Sequence, residues 1–486
     1  MSIQTLLNPE LKKPRITMVS PLRQTLFSGV AGTRRIPAPV ADPLLRVACE
    51  GAGHPARIRN RHAGIWHRWT AIAIGLALLS ACGGSTKTNI LGAGGLIQPF
   101  GVVSAEPHAT LVGRDILAAG GSAADAAAAM ALVMAVTLPS RAGLGGGGVC
   151  ELYNPPKDAR AGNGTTVTID FLSRDKGAAP GFLAGIAAMQ ARYGHLRWEQ
   201  IVVPAETLAR ESATVSRALA HDLAAYGQAF AADPEARRLF ARPDGSMLAE
   251  GDPMVQPQLA STLAAIRQRG VDAVRSGPLA DRMAAAFALD SAALRRPQVA
   301  LRDSVAVPFA HDMLYFADLT DTGTAAAWNA VADLGDEARA AALAKAPASQ
   351  PAAPPTTALA VVDGFEQGVS CVLSAGGPFG SGRMAQGLGF FIGRATGAAG
   401  VGGPVIEVNH NVGRLHFAGA GAANAPTDHA DTALVAEMAH DLLEAPARSV
   451  SGATEIIDCH REDGKNLKLC QAMTDKQGFG LGVLGH

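Results

Sequence analysis

Thr356 and Thr357 open the run Thr356-Thr357-Ala358-Leu359-Ala360-Val361-Val362-Asp363, directly after Pro354 and Pro355. Paired hydroxyls at the head of an apolar, β-branched strand gain little from packing. They gain a chemical use if the chain is cut before Thr356. The new terminal residue then carries a free α-amine beside its own hydroxyl, so one residue holds nucleophile and general base. Such a pair serves attack on amide carbonyls and requires no metal or organic cofactor.

The other chemistry-bearing residues are weaker signals. His108 and Asp125 read as polar groups at helix ends. His410 and His416 alternate along a strand, and two histidines without a third ligand do not make a metal site. No Cys/His spacing matches one either. Of the six cysteines, Cys150 and Cys371 lie in apolar runs and read as small buried hydrophobes. Cys459 and Cys470 flank Asp463-Gly464-Lys465-Asn466, a turn signal that suits a disulfide in an exported protein.

The elements that must position Thr356 follow from pattern. Gly101–Ser104 reads as a strand and His108–Ala119 as a helix stopped by Gly120-Gly121. Ser122 caps a second, alanine-rich helix to about Val136, before Pro139. Gly143-Leu144-Gly145-Gly146-Gly147-Gly148 leads into strands at Val149–Tyr153 and Thr165–Phe171. The middle third reads as helical, including segments after Trp198 and from Gln256. Residues 322–355, rich in Ala and ending in Pro347, Pro351, Pro354 and Pro355, read as a flexible linker. Strands are then expected at 357–363, 368–375, 404–409 and 414–419, with a helix near 431–444. Strand-rich ends around a helical middle predict a mixed, layered α/β architecture.

Composition sets the bounds. The 486 residues balance 42 Lys+Arg against 42 Asp+Glu, and 48% are hydrophobic with 17% charged. That suits a large core and leaves no basic footprint for nucleic acid. Ahead of the fold, Arg57, Arg59, Arg61 and Arg68 precede the apolar stretch Trp69–Leu79 and then Ser80-Ala81-Cys82-Gly83. This order reads as a secretory signal. Leu79-Ser80-Ala81-Cys82 resembles the bacterial lipobox, which implies lipidation at Cys82 and a periplasmic, membrane-anchored protein.

Five blocks in order make the chain resemble the γ-glutamyltranspeptidase family of N-terminal-nucleophile hydrolases. They are Gly120-Gly121-Ser122-Ala123-Ala124-Asp125-Ala126-Ala127, the Gly143–Val149 loop, Tyr193-Gly194-His195-Leu196-Arg197-Trp198, Gln256–Leu263 and Gly277–Ala280. The resemblance implies a four-layer αββα sandwich whose precursor cuts itself into two subunits. It implies the organisation 1–82 leader, 83–100 spacer, 101–355 large-subunit-like and 356–486 small-subunit-like. Cleavage would fall between Pro355 and Thr356, with Thr356 the nucleophile, assisted by Thr357 and by Ser374. Backbone N–H groups near Ala422 and Ala423 would form the oxyanion hole. The implied substrate is a small-molecule amide, of which a γ-glutamyl compound such as glutathione is the family's type.

The family's glutamate contacts depart from pattern. Its carboxylate-binding arginine falls at Leu172 in Asp170-Phe171-Leu172-Ser173-Arg174; on a regular strand Arg174 would face the same side and take its place. Gly376 stands where the family has a substrate-contacting asparagine, Ala398 where it has the acid that binds the amino group, and Gly400-Val401 near its serine pair. Three readings follow: a γ-glutamyltranspeptidase-like hydrolase or transferase, a threonine acylase for a non-glutamyl amide, or a non-catalytic binding or scaffold protein.

Overall fold

The computed structural model describes residues 100–156, 163–175, 179–296, 299–317, 319, 323–344, 355–396, 402–425, 428–444, 451–460, 470–474 and 479–485. The expected signal, Cys82 and the spacer up to residue 99 lie outside these residues, as do Ala398 and Gly400-Val401. The early strands are β1 (Phe100–Ser104), β2 (Gly147–Asn154), β3 (Thr165–Asp170), β4 (Ala213–Thr214) and β5 (Pro253–Met254). Next come β6 (Ala300–Arg302), β7 (Val305–Phe309), β8 (Asp312–Phe316), β9 (Thr356–Val362) and β10 (Gly368–Ser374). The last are β11 (Val405–Asn409), β12 (Arg414–Ala422), β13 (Ala453–Asp458), β14 (Gln471–Met473) and β15 (Leu481–Gly485).

One sheet runs β15-β1-β9-β10-β2-β3-β6 and a second β14-β13-β12-β11-β8-β7, while β4 and β5 pair alone. Side chains on a strand alternate between faces, and β9 shows what each face meets. Leu359 and Val361 pack with the buried alanines of the Ala123–Thr137 helix. Ala358 packs with Ala420 and Ala422 of the second sheet, and Ala360 and Val362 with Ile406, Leu415 and Ala418. On the second sheet's other face, Leu314, Phe316, Val405 and Phe417 meet Leu434, Val435 and Met438 of the Ala430–Leu443 helix. Ser370 Oγ on β10 donates to the Gly419 carbonyl on β12 at 2.6 Å, a direct strap between the sheets.

The alanine-rich helix is held at its N-terminus. Ser122 and Asp125 form a reciprocal capping box. Its free N–H groups at Ala123 and Ala124 donate to Asp363 Oδ2 (3.0 Å) and Gln367 Oε1 (2.8 Å), from the hairpin joining β9 to β10. Asp125 also accepts from the backbone N–H groups of His195 and Leu196 at 2.7 and 3.1 Å. Two of the sequence blocks are thus one structural joint, and Asp125 is spent on it. His108 Nδ1 similarly bonds Glu106 Oε1 at 2.9 Å beside its own helix start.

Three expectations need correction. The segment read as a linker holds helices at Gly323–Asn329 and Asp336–Ala344, because alanine is the best helix former and no proline interrupts before Pro347. Strands β6, β7 and β8 arise within the third read as helical. Cys150 and Cys371 are bonded to each other, with S–S 2.07 Å, since the β2–β10 register sets them directly opposite. Cys459 and Cys470 form a second disulfide, with S–S 2.09 Å.

Glu151 yields a pH prediction. It lies fully buried on β2 and accepts from Thr168 Oγ1 at 2.7 Å and from Ser304 Oγ. Burial pushes its carboxyl up to about 8 against an ordinary value of 4.5, partly opposed by the Ser304 and Thr168 hydroxyls. An acid raised in the folded state stabilises fully below its unfolded value and loses that contribution as pH climbs through the folded one. Glu151→Gln should match the parent's unfolding free energy near pH 4.5 and exceed it by pH 8.5, by on the order of a few kcal/mol, with its melting midpoint rising above the parent's over the same window. Parallel melting curves across that window would contradict a buried neutral carboxyl.

Candidate active site

Thr356 is wholly buried at the head of β9 and is clasped from the other sheet. Its backbone N–H donates to the Ala423 carbonyl at 2.9 Å. The Ala423 N–H donates back to Thr356 Oγ1 at 2.8 Å. An N–H aimed at a hydroxyl oxygen fixes its orientation and favours its deprotonated form. Ala422, one residue earlier, remains within β12 and pairs with Ala453. Of the two residues expected to form an oxyanion hole, Ala423 is the one whose N–H reaches the nucleophile's oxygen.

Ser374 ends β10 and stands opposite Thr356 in the β9–β10 register. Its Oγ accepts from the Gly376 N–H at 3.0 Å and lies 3.5 Å from Thr396 Oγ1. Gly376 has φ +75°, and a Cβ there would meet the Arg394 carbonyl at 2.2 Å. Only glycine fits this turn. The Gly143–Gly148 loop makes a similar close approach, for a Cβ on Gly146 would lie 2.3 Å from the Ser374 carbonyl. Arg394 is exposed, its Nη1 3.7 Å from a Cβ built on Gly377.

Not every expected site residue gathers here. Thr357 sits on the opposite face of β9 by strand alternation, with Leu359 and Val361, and its buried Oγ1 has no hydrogen-bond partner among the described residues. Arg174 pairs within the chain instead of pointing along the strand face. Strand β3 ends at Asp170, so alternation no longer governs Arg174, and its Nη1 is ion-paired to Asp170 Oδ2 at 2.7 Å. Arg302 reaches the same oxygen at 3.3 Å. Leu172 is buried among Val149, Ala317, Leu319, Ala358, Val372 and Ala422. The position of the family's arginine is therefore part of an apolar wall.

Sequence reasoning missed the polar group behind Ala423. Arg141 is 1% exposed. Its Nε and Nη2 donate to Asp222 Oδ2 and Oδ1 at 2.7 and 2.8 Å, and its Nη1 donates to Asn424 Oδ1. Ser140 Oγ donates to Asp222 at 2.6 Å. The Asn424 and Ala425 N–H groups donate to Asp428 Oδ2 at 2.8 and 3.0 Å. The loop that aims the Ala423 N–H is thus fixed by a bidentate buried ion pair on one side and a carboxylate on the other. The available signal was a charged residue, Arg141, set in an apolar run just before the glycine loop.

Removing one partner of a buried pair strands the other charge. Asp222→Ala should therefore cost about 3–5 kcal/mol in denaturant unfolding, whereas Arg141→Met with Asp222→Leu should recover most of that loss. Equal stability of Asp222→Ala and the parent would contradict the buried pairing.

Residues 109–327 match the family described as gamma-glutamyltranspeptidase. The glutathione hydrolase proenzyme of Escherichia coli (strain K12) is 34% identical over 209 residues, 38% of this chain and 35% of its own length. That of Bacillus subtilis (strain 168) is 33% identical over 200 residues, 37% of this chain and 34% of its own. The chain thus aligns with about a third of these curated relatives' length. The crystal structure of cephalosporin acylase from Bacillus halodurans superposes with TM-score 0.61 at 17% identity, covering 80% of this chain and 96% of that one. That second likeness concerns the fold alone. Residues 109–327 are thus similar in sequence to the gamma-glutamyltranspeptidase family, and the described chain is similar in fold to the cephalosporin acylase.

Proposed function

We propose that this chain is an amide hydrolase or acyl transferase whose nucleophile is Thr356, released by cleavage after Pro355, and that its acyl group is not γ-glutamyl. The observation carrying the first part is the clasp of Thr356 N and Oγ1 by Ala423. The packing of both sheets between helices supports an αββα sandwich, with 101–355 and 356–486 as the large- and small-subunit-like parts of one precursor.

The chemistry has two stages. Thr356 Oγ1 attacks the Pro355 carbonyl, the peptide C–N bond breaks, and an ester forms while the nitrogen takes the hydroxyl proton. Water hydrolyses the ester, leaving a carboxylate on Pro355 and a free amine on Thr356. In the second stage that amine accepts the Oγ1 proton while still donating to the Ala423 carbonyl. The hydroxyl oxygen attacks the substrate amide, the leaving amine is protonated, and water or an acceptor amine resolves the acyl-enzyme.

The substrate class rests on the apolar wall. With Leu172 at the arginine position and Arg174 committed to Asp170, an α-carboxylate would be buried without a partner. Losing the partner of a buried charge costs about 2–5 kcal/mol. An uncharged acyl group suits Leu172, Ala422 and Ala358. The exposed Arg394 guanidinium sets positive charge near the Gly376-Gly377 turn, where an anionic portion of the substrate outside the acyl pocket would meet it.

Intact mass after expression tests the nucleophile. Two fragments meeting at Pro355/Thr356 are expected, with none from Thr356→Ala; an uncut parent chain would favour the scaffold reading. Turnover tests the pocket. A γ-glutamyl anilide should react at least about thirty-fold more slowly than an apolar acyl anilide, following the energy above at tenfold per 1.4 kcal/mol. Leu172→Arg alone should rescue little. Fast γ-glutamyl turnover by the parent would refute the apolar-pocket assignment.

We also propose export with a lipid anchor at Cys82, supported by the Leu79-Ser80-Ala81-Cys82 motif after a basic flank and an apolar run. Cys82→Ser should move the protein from the membrane fraction into the soluble periplasm. Unchanged fractionation, with no lipid on the parent's mature fragment, would refute the anchor.

A further inference from the structure

Strand pairing assembles a second polar centre far along β12 from Thr356. Asp312 opens β8, Glu407 lies on β11, His416 on β12, and His460 two residues beyond β13. One ligand-type atom from each of the four lies within 4.8 Å of the others. His416 precedes Ala422 by six positions, roughly 20 Å of extended strand, so the cluster is separate from the nucleophile.

Three observations mark it as built. First, Glu407 is fully buried, no donor among the described residues makes a full hydrogen bond to its carboxylate oxygens, and its one cation-forming neighbour there is the His460 imidazole, 3.5 Å from Oε2. A buried carboxylate in that condition is costly unless a cation joins it. Second, His416 is the extra residue of a β-bulge. Glu407 pairs with Phe417 and Val408 with Leu415, which leaves His416 unopposed. Bulges re-aim a side chain, and the Cys459 N–H pins this one by donating to the His416 carbonyl at 2.7 Å. Third, His460 Nδ1 is held by Asp458 Oδ1, which turns Nε2 toward Glu407 Oε2 at 3.5 Å. A carboxylate behind an imidazole is the usual support of a metal-bound histidine.

We infer that Asp312, Glu407, His416 and His460 bind one zinc-class divalent cation. Two imidazoles and two carboxylates suit zinc rather than calcium or magnesium. Bonds of about 2.0–2.1 Å place tetrahedral ligand atoms about 3.3 Å apart. The Asp312–His416 contact at 2.7 Å and the Glu407–His460 contact at 3.5 Å bracket that spacing. Four protein ligands make a closed, structural site, and the partly exposed His460 edge gives the ion its entry. The ion would tie β8, β11 and β12 to the end of β13, beside the Cys459–Cys470 disulfide.

The test uses the full chain stripped with a chelator and titrated with zinc against a chromophoric competitor. The parent should hold one zinc that Glu407→Gln, His416→Ala and His460→Ala each bind at least tenfold more weakly. Asp458→Asn should lower affinity by about 10–100-fold without changing stoichiometry. Zinc should raise the parent's thermal midpoint and leave that of Glu407→Gln unchanged. Matching zinc-free circular dichroism of these two proteins separates lost ligation from lost folding. X-ray absorption of the zinc-loaded parent should show only nitrogen and oxygen ligands. Equal zinc affinity in parent and variants, sulfur ligation, or no zinc retained would each overturn the site and leave an ion-pair network only.

Discussion

Two hydrogen bonds between Thr356 and Ala423 hold this structure's chemistry together. Thr356 begins β9 in one sheet, and Ala423 follows β12 in the other. The proposed nucleophile therefore sits at the seam between the sheets, since neither sheet alone presents both the Thr356 hydroxyl and the N–H aimed at it. Whatever holds the sheets in register holds the reactive geometry. The Ser370–Gly419 strap and the alanine-on-alanine contacts of Ala358, Ala420 and Ala422 do so directly. Small side chains there let the two backbones approach closely.

The surroundings divide into rigid supports and a permissive wall. The Arg141–Asp222–Asn424 group and Asp428 fix the loop bearing Ala423. The glycine loop passes against Ser374 at a distance no side chain tolerates, and the Cys150–Cys371 disulfide joins β2 to β10 behind it. The match to the gamma-glutamyltranspeptidase family falls within residues 109–327, a span that includes the glycine loop and the buried Leu172.

Much of this was legible in the chain. The strands at 356–362 and 368–374 follow from unbroken β-branched and apolar runs, and the helix from Ala123 from its Ser122 cap and alanines. Asp125 was readable as a helix-end group, though its reach to His195 and Leu196 was not. What stayed hidden depends on pairing between distant segments. The Cys150–Cys371 bond spans 221 positions, and the cluster at Asp312, Glu407, His416 and His460 exists only once four strands lie side by side. Strand alternation does not fix the side on which Arg174 lies, because β3 ends at Asp170. The alanine-rich stretch after residue 322 misled because its terminal prolines suggested a linker where helices stand.

The direct measurement is where the acyl group resides during turnover. Quenching the processed protein with an apolar acyl amide, then mapping peptides by tandem mass spectrometry, should place one acyl group on the Thr356 oxygen. It should vanish when the Thr356 amine is blocked. An acyl group on any other residue, or turnover with no covalent adduct at Thr356, would contradict a nucleophile made at the seam of the two sheets.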